Sequence, residues 1–166
     1  MNHIYGLFEV TDGIYQVRGY DMSNVTFIKG DTGWIVVDPL MSVECAQAAF
    51  ALVEENLGTF PVKAVIYSHS HVDHFGGVRG IISEEDVQSG DVQVIAPEGF
   101  EKHAVSENIY AGTAMGRRAS YQYGTMLEGG ETGSLAIGIG MGQSKGSTSY
   151  ISPTLEITQT GEKHII

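Results

Sequence analysis

The sequence has a single cysteine, Cys45, among 166 residues, and this excludes an internal disulfide. The cysteine lies in the segment SVECAQAAFALVEE, whose apolar spacing is helical. We therefore predict that Cys45 is a small buried side chain and not a nucleophile. A chain of this length with 42% hydrophobic residues can be stabilised by one ordinary core.

Basic residues are also scarce, because nine Lys and Arg stand against 20 Asp and Glu and the net charge is -11. This balance argues against a nucleic-acid partner, which requires clustered positive charge. No apolar run reaches the roughly 18 residues of a membrane span. The first ten residues, MNHIYGLFEV, lack the basic start and apolar stretch of a signal peptide, so the localisation stays unassigned.

The first forty residues predict three strands. Segments rich in branched and aromatic residues lie at 13–20, 24–30 and 34–38, and turn signals separate them. The third, WIVVD, is apolar without alternation, which is typical of a central strand that is buried on both faces. Pro39 ends it, because proline cannot donate a hydrogen bond to a sheet.

Further along the chain, helices and strands alternate. A helix is predicted from its N-cap Ser42 to about Asn56, with Gly58 after its end. Strands are predicted at 62–69 and 91–97, a helix from 98 whose end near 124 is not defined, and one short strand within 151–162.

The segment 128–150 is rich in glycine and serine and lacks periodicity, so we expect a long loop there. No internal repeat or linker divides the chain, and residues 1–166 are interpreted as one domain. The order of elements predicts an α/β fold, with helices packed on a mixed sheet.

The densest chemical signal is HSHVDHFGG, which follows the predicted strand at 62–69. Side chains alternate in an extended segment, so His69, His71 and Asp73 can face one side, and His74 follows at once. Imidazole and carboxylate are typical zinc ligands, and four of them so close together can share two metal ions. We expect Gly76 and Gly77, which lack side chains, to let the backbone approach these ions.

The remaining histidines, His3, His103 and His164, are interpreted as surface or packing residues. We call residues 69–77, HSHVDHFGG, the histidine loop. Asp38 ends a strand that is expected to neighbour the strand carrying this loop. Its carboxylate can accept a hydrogen bond from a ligand histidine or from that loop, or it can simply precede Pro39 as a strand end.

Arg117, Arg118 and Tyr123 lie in the only dense basic and aromatic patch of the sequence. Arginine presents planar donors that match sulfate or phosphate oxygens, so these residues are candidates for substrate binding. The alternative is a solvated helix face with ordinary core tyrosines.

Two sets of motifs carry a resemblance to known proteins. HSHVDH after a buried strand, with WIVVDP before it, resembles the metal-binding signature of the metallo-β-lactamase superfamily. Segments including VIYSHSHVDHFGGVRG, VQVIAPEGF and NIYAGTAMGRRASYQYG resemble the alkyl sulfatases (linear alkylsulfatases) of that superfamily, in the same order. The first resemblance implies an αββα sandwich and a supporting role for Asp38.

The second resemblance implies a zinc-dependent hydrolase that cleaves alkyl sulfate esters, such as detergents, to an alcohol and sulfate. By position, His69 and His71 would hold one zinc, and Asp73 and His74 the other. Members of the family are often exported, so the resemblance is compatible with a periplasmic protein whose signal peptide is not in this chain.

The sequence departs from the family in its length, because the acidic ligands and the further histidine expected downstream are absent. We therefore expect about the N-terminal half of the sandwich, with partial zinc binding and little activity. The sheet face that lacks its partner should drive association into a dimer or higher oligomer. Two alternatives stay open: another hydrolase of this fold, acting on a lactam, thioester or phosphodiester, and a non-catalytic metal-binding, self-associating module.

Overall fold

Seven strands form one mixed sheet in a computed structural model that describes residues 4–137, 140 and 142–166. The strands follow the chain order across the sheet, antiparallel from the first to the fourth and parallel from the fourth to the seventh. They are β1 (Gly6–Thr11), β2 (Ile14–Arg18), β3 (Val25–Lys29), β4 (Trp34–Val37), β5 (Val62–Ile66), β6 (Gln93–Pro97) and β7 (Leu155–Ile157).

Four helices connect or follow these strands: α1 (Val43–Leu57), α2 (Glu84–Gln88), α3 (Phe100–Val105) and α4 (Gly112–Tyr123). As predicted, Ser42 caps α1, since its hydroxyl accepts the amide N–H of Cys45 at 3.4 Å, and Gly58 follows the helix end. A π-helical turn, Ser106–Tyr110, joins α3 to α4. No helix within the described ranges is long and apolar enough to cross a membrane.

Three local predictions need correction. Strand β1 was not predicted from the sequence, and it forms because its backbone pairs with β2 along one edge of the sheet. The helix predicted from residue 98 is divided into α3, the π turn and α4. It ends at Tyr123, and Gly124 follows with a φ of 62°. Cys45 is half-buried against the core and not fully buried.

The core lies on one face of the sheet. Val17, Phe27, Trp34 and Val36 point to this face and are almost fully buried. Helix α1 contributes its apolar stripe to the same cluster, at the helical spacing seen in the sequence: Ala46, Ala49 and Val53. Burial on this face therefore orients the central strands. The carboxyl end of β5 leads into the histidine loop, and that of β4 leads into Asp38.

The opposite face of the sheet is also apolar. The pairing register aligns Ile14, Ile28 and Ile35 in one row across three strands, and Val37 beside Ile66 in the next. These side chains are half-buried, and none of them belongs to the buried cluster that the described residues form with the helices. This is the face that the sequence predicts to need a partner.

The predicted long loop, 128–150, includes residues 138, 139 and 141, which lie outside the described residues. The part of it that is described forms turns and one isolated bridge between Gly129 and Ser134. Its serines bind distant residues: the Ser144 hydroxyl donates to Asp21 at 2.8 Å, and the Ser149 hydroxyl donates to the carbonyl of Gly76 at 2.8 Å. The end of this segment is therefore hydrogen-bonded to Gly76, near the C-terminal end of the histidine loop.

Candidate metal centre

Tyr67 and Ser68 connect the end of β5 to the histidine loop, and the ring of Tyr67 is buried. The Tyr67 hydroxyl donates to the carbonyl of Ile151 at 3.1 Å, and its ring stacks on Phe100 at 5.1 Å. A 3₁₀ turn, Val72–His74, then folds the loop back, and the Ser23 hydroxyl donates to the carbonyl of Asp73. The loop therefore starts from a rigid anchor and is held again at its centre.

Asp38 and the loop meet because β4 and β5 are parallel neighbours, with Val37 paired to Ile66. The carboxylate of Asp38 accepts the N–H of Ser68 at 2.8 Å and its hydroxyl at 2.7 Å. A left-handed φ of 57° at Asp38 accompanies this arrangement, and aspartate tolerates that conformation better than most residues. The structure thus places Asp38 where the sequence predicted a supporting carboxylate.

His74 lies between two carboxylates. Its Nδ1 is 2.9 Å from Oδ2 of Asp38, and its Nε2 is 3.1 Å from Oδ2 of Asp73. The side chains of His74 and Asp38 are only 22% and 15% exposed. Two ligands of one tetrahedral zinc lie about 3.3 Å apart when each bond is about 2.0 Å, so the Nε2 of His74 and the carboxylate of Asp73 have the spacing of ligands that share an ion.

The ring of His69 lies beside the rings of both other histidines. The His69 ring centroid is 4.0 Å from that of His74 and 4.6 Å from that of His71. Nδ1 of His69 is 2.9 Å from the Ser68 hydroxyl, and Nε2 of His71 is 3.1 Å from a carboxylate oxygen of Glu107. The structure therefore places the four predicted metal ligands as adjacent pairs: His69 with His71, His69 with His74, and His74 with Asp73.

The local charges shift three pKa values in this cluster. Burial disfavours the charged form of His74, but its hydrogen bonds to Asp38 and Asp73 outweigh burial and raise its pKa to about 9. Burial likewise opposes ionisation of Asp73, but its hydrogen bond to His74, the charges of His74 and His71 and a backbone hydrogen bond together outweigh burial and lower its pKa. Burial lowers the pKa of His69, and the neighbouring imidazoles lower it further.

Gly76 and Gly77 have a packing role that was not predicted from the sequence. A Cβ atom on Gly76 would overlap the carbonyl oxygen of Met41, and one on Gly77 would overlap the carbonyl oxygen of Pro39. The glycines thus let the histidine loop pack directly on the backbone that follows Asp38, and their predicted approach to metal ions stays a prediction. The amide N–H of Gly77 donates to the carbonyl of Leu40 at 2.9 Å in the same contact.

The donor set suits zinc, since it consists of imidazole nitrogens and a carboxylate in one loop. Within residues 4–137, 140 and 142–166, no three such side chains are grouped around a common point as metal ligands. The structure therefore shows close pairs of donors, and the zinc site itself stays a prediction.

Glu107 was not predicted as a site residue. It lies in the π turn, 36 positions after His71, and no spacing in the sequence connects the two. The only signal in the sequence is its position directly before the segment NIYAGTAMGRRASYQYG, which resembles alkyl sulfatases.

The predicted substrate residues lie on α4, away from the core. Arg117 and Arg118 are exposed and Tyr123 is half-buried. In the part of the chain that the structure describes, no hydrogen bond or ion pair joins them to the histidine cluster. Their role in substrate binding stays a prediction.

Among the described residues, no hydrogen bond, ion pair or ring contact joins two of the remaining histidines, His103 and His164, to the histidines of the cluster. His103 is exposed on α3, and Nε2 of His164 lies 2.7 Å from a carboxylate oxygen of Glu162. His3 lies outside the described residues.

Comparisons with known proteins identify relatives of this chain. A linear primary-alkylsulfatase from Pseudomonas sp. is 54% identical over 164 residues, which is 99% of this chain and 24% of the relative. An alkyl/aryl-sulfatase from Saccharomyces cerevisiae is 48% identical, over 100% of this chain and 26% of the relative. The resemblance to alkyl sulfatases is thus confirmed, and the chain spans about a quarter of the length of these relatives.

The fold is confirmed in the same way. The solved structure of a stereoselective inverting sec-alkylsulfatase from Pseudomonas sp. superposes with a TM-score of 0.93 at 46% identity, over 99% of this chain and 26% of that one. A family model described as the metallo-beta-lactamase superfamily matches residues 18–152. Since this match extends over most of the sequence and includes the strands that carry Asp38 and the histidine loop, the chain belongs to the metallo-β-lactamase superfamily.

Proposed function

We propose that this chain carries the first four ligands of the zinc centre of an alkyl sulfatase, which hydrolyses alkyl sulfate esters to an alcohol and inorganic sulfate. The observation that carries the proposal is the pairwise contact of His69, His71, Asp73 and His74 within one loop, in a chain about half identical to alkylsulfatases over its full length. Detergents such as dodecyl sulfate are the substrate class that this relationship favours.

In this proposal His69 and His71 hold one zinc ion, and Asp73 and His74 hold a second. When bound, zinc supplies Lewis acidity and lowers the pKa of water to about 7, so that hydroxide is available at neutral pH. Asp38 holds Nδ1 of His74 and leaves its Nε2 for the ion. Arg117, Arg118 and Tyr123 are the candidates for binding the sulfate group, since guanidinium groups match its oxygens.

Sulfate release from dodecyl sulfate tests this function. We expect the zinc-loaded full-length gene product to release sulfate, to lose activity with a chelator and to regain it with zinc. We expect this chain alone to show little or no release. A full-length product that releases no sulfate would contradict the function. Turnover by the chain alone that disappears in His71→Ala would contradict only the expected inactivity.

Zinc titration tests the ligand assignment. We expect the chain to bind fewer than two zinc ions tightly, because four ligands complete at most part of two sites. Competition with a chromophoric chelator measures both affinity and stoichiometry, and His71→Ala should weaken binding further, whereas the exposed His103→Ala should not. Two tight sites per wild-type chain would show that other residues complete both sites.

We also propose that the chain associates with itself through the apolar sheet face of Ile14, Ile28, Ile35, Val37 and Ile66. Light scattering at tens of micromolar should show a dimer or larger species, because such a face is unfavourable in water. Ile28→Thr with Ile35→Thr should shift the population towards monomer, whereas Met126→Gln, at a side chain that is 87% exposed, should not. A monomeric wild-type chain at these concentrations would refute the idea.

A further inference from the structure

Glu107 contacts one of the proposed zinc ligands from the outer side of the histidine cluster. Its Oε1 lies 3.1 Å from Nε2 of His71, and its side chain is 22% exposed, against 56% for His71. Glu107 is thus the better shielded partner, and it can orient a histidine that is otherwise open to solvent.

The π turn brings Glu107 to this position. The N–H of Ala111 donates to the carbonyl of Ser106, five residues earlier, at 3.0 Å, which widens the helix at this point. Asn108 in the same turn donates to the carbonyl of Ala104 at 2.8 Å and approaches the carbonyl of Ser70 at 3.5 Å. The turn therefore contacts the histidine loop at two adjacent positions.

The same segment is fixed to the core at its other end. The Phe100 ring at the start of α3 stacks on Tyr67 at 5.1 Å and meets Phe75 edge-on at 5.5 Å. Both partners of Phe100 flank the histidine loop in sequence. The position of Glu107 relative to His71 is thus set by the core and not by a flexible surface segment.

Each of the three histidines has a ring nitrogen close to an oxygen of a residue that is not one of the four proposed ligands, and for His74 the second nitrogen faces the proposed ligand Asp73. Nδ1 of His69 lies 2.9 Å from the Ser68 hydroxyl, and Nδ1 of His74 lies 2.9 Å from Asp38. For His71 the engaged atom is Nε2, and its partner is Glu107. A hydrogen bond to one ring nitrogen determines the tautomer and leaves the other nitrogen as the metal ligand.

We propose that Glu107 is a positioning residue of the metal centre, which accepts the Nε2–H of His71 and thereby makes Nδ1 its ligating nitrogen. The inference rests on the proposed function, because it requires that His71 binds zinc. It assigns to the π turn the same task for His71 that Asp38 performs for His74.

Zinc affinity of matched variants tests the proposal. Glu107→Ala should weaken zinc binding by about 10- to 100-fold, the usual loss when such a partner of a ligand histidine is removed. Glu107→Gln keeps an acceptor oxygen and should retain more of the affinity than Glu107→Ala. Glu101→Gln, at an exposed position on α3, is the matched control and should bind as the wild type does. Circular dichroism of each variant monitors the fold.

Nitrogen chemical shifts of the imidazole rings give a second measurement. In the zinc-loaded wild type, the His71 ring should show a metal-bound Nδ1 and a protonated Nε2. A metal-bound Nε2, or wild-type affinity in Glu107→Ala, would overturn this inference while the proposed function stands. A wild-type chain that binds no zinc would overturn both.

Discussion

Replacing Asp38 with alanine should lower zinc affinity by about 10- to 100-fold, because Asp38 contacts His74, one of the proposed zinc ligands, and the loop that carries it. Its carboxylate accepts the N–H and hydroxyl of Ser68 and lies 2.9 Å from Nδ1 of His74. Without it, His74 is no longer held in one tautomer. Each lost hydrogen bond should lower the free energy of unfolding by about 0.5–1.5 kcal/mol, because the Ser68 donors are exposed and can bond to water instead. Chelator competition and urea unfolding measure the two effects.

Two further variants separate the causes. Asp38→Asn keeps an oxygen for the N–H of Ser68 and tolerates the left-handed φ of 57°, so its losses should be smaller than those of Asp38→Ala. Asp31→Asn, in an exposed hairpin turn, also removes one negative charge and should leave both quantities unchanged. Zinc affinity in Asp38→Ala equal to that of the wild type would disprove a supporting role for this carboxylate.

Replacing Gly77 with alanine should lower the free energy of unfolding by about 3 kcal/mol, at the upper end of the cost of overpacking. The added Cβ would overlap the carbonyl oxygen of Pro39 and lie 2.7 Å from both the Cβ of Ala46 and the carbonyl oxygen of Ser42. Two of these atoms belong to the backbone, so no side-chain rotation can relieve the overlap. Urea unfolding followed by circular dichroism measures the loss.

The matched control, Gly116→Ala, should raise the free energy of unfolding. Gly116 lies within α4, and a Cβ there would meet no atom within 4 Å. Gly116→Ala should therefore stabilise the chain by about 0.5–1 kcal/mol, since alanine loses less backbone entropy in a helix. If Gly77→Ala unfolded at the same urea concentration as the wild type, this result would contradict the close packing of the histidine loop on the segment after Asp38.

The two central strands show how much of this fold can be predicted from sequence. WIVVD and VKAVIYSH are continuous apolar runs, and such runs indicate buried strands because both faces of a central parallel strand are covered. The structure confirms them as the parallel neighbours β4 and β5. Strand β1 was missed, because an edge strand forms through its pairing partner and its own sequence carries a weaker signal.

The sequence by itself determined which donors are available, because His69, His71, Asp73 and His74 lie within six positions after a buried strand. It also indicated Asp38, since the ends of neighbouring parallel strands meet at one edge of the sheet. Only the tertiary structure decided the role of Gly77 and the contact of Glu107 with His71. Both depend on where distant segments pack, and local spacing carries no information about such contacts.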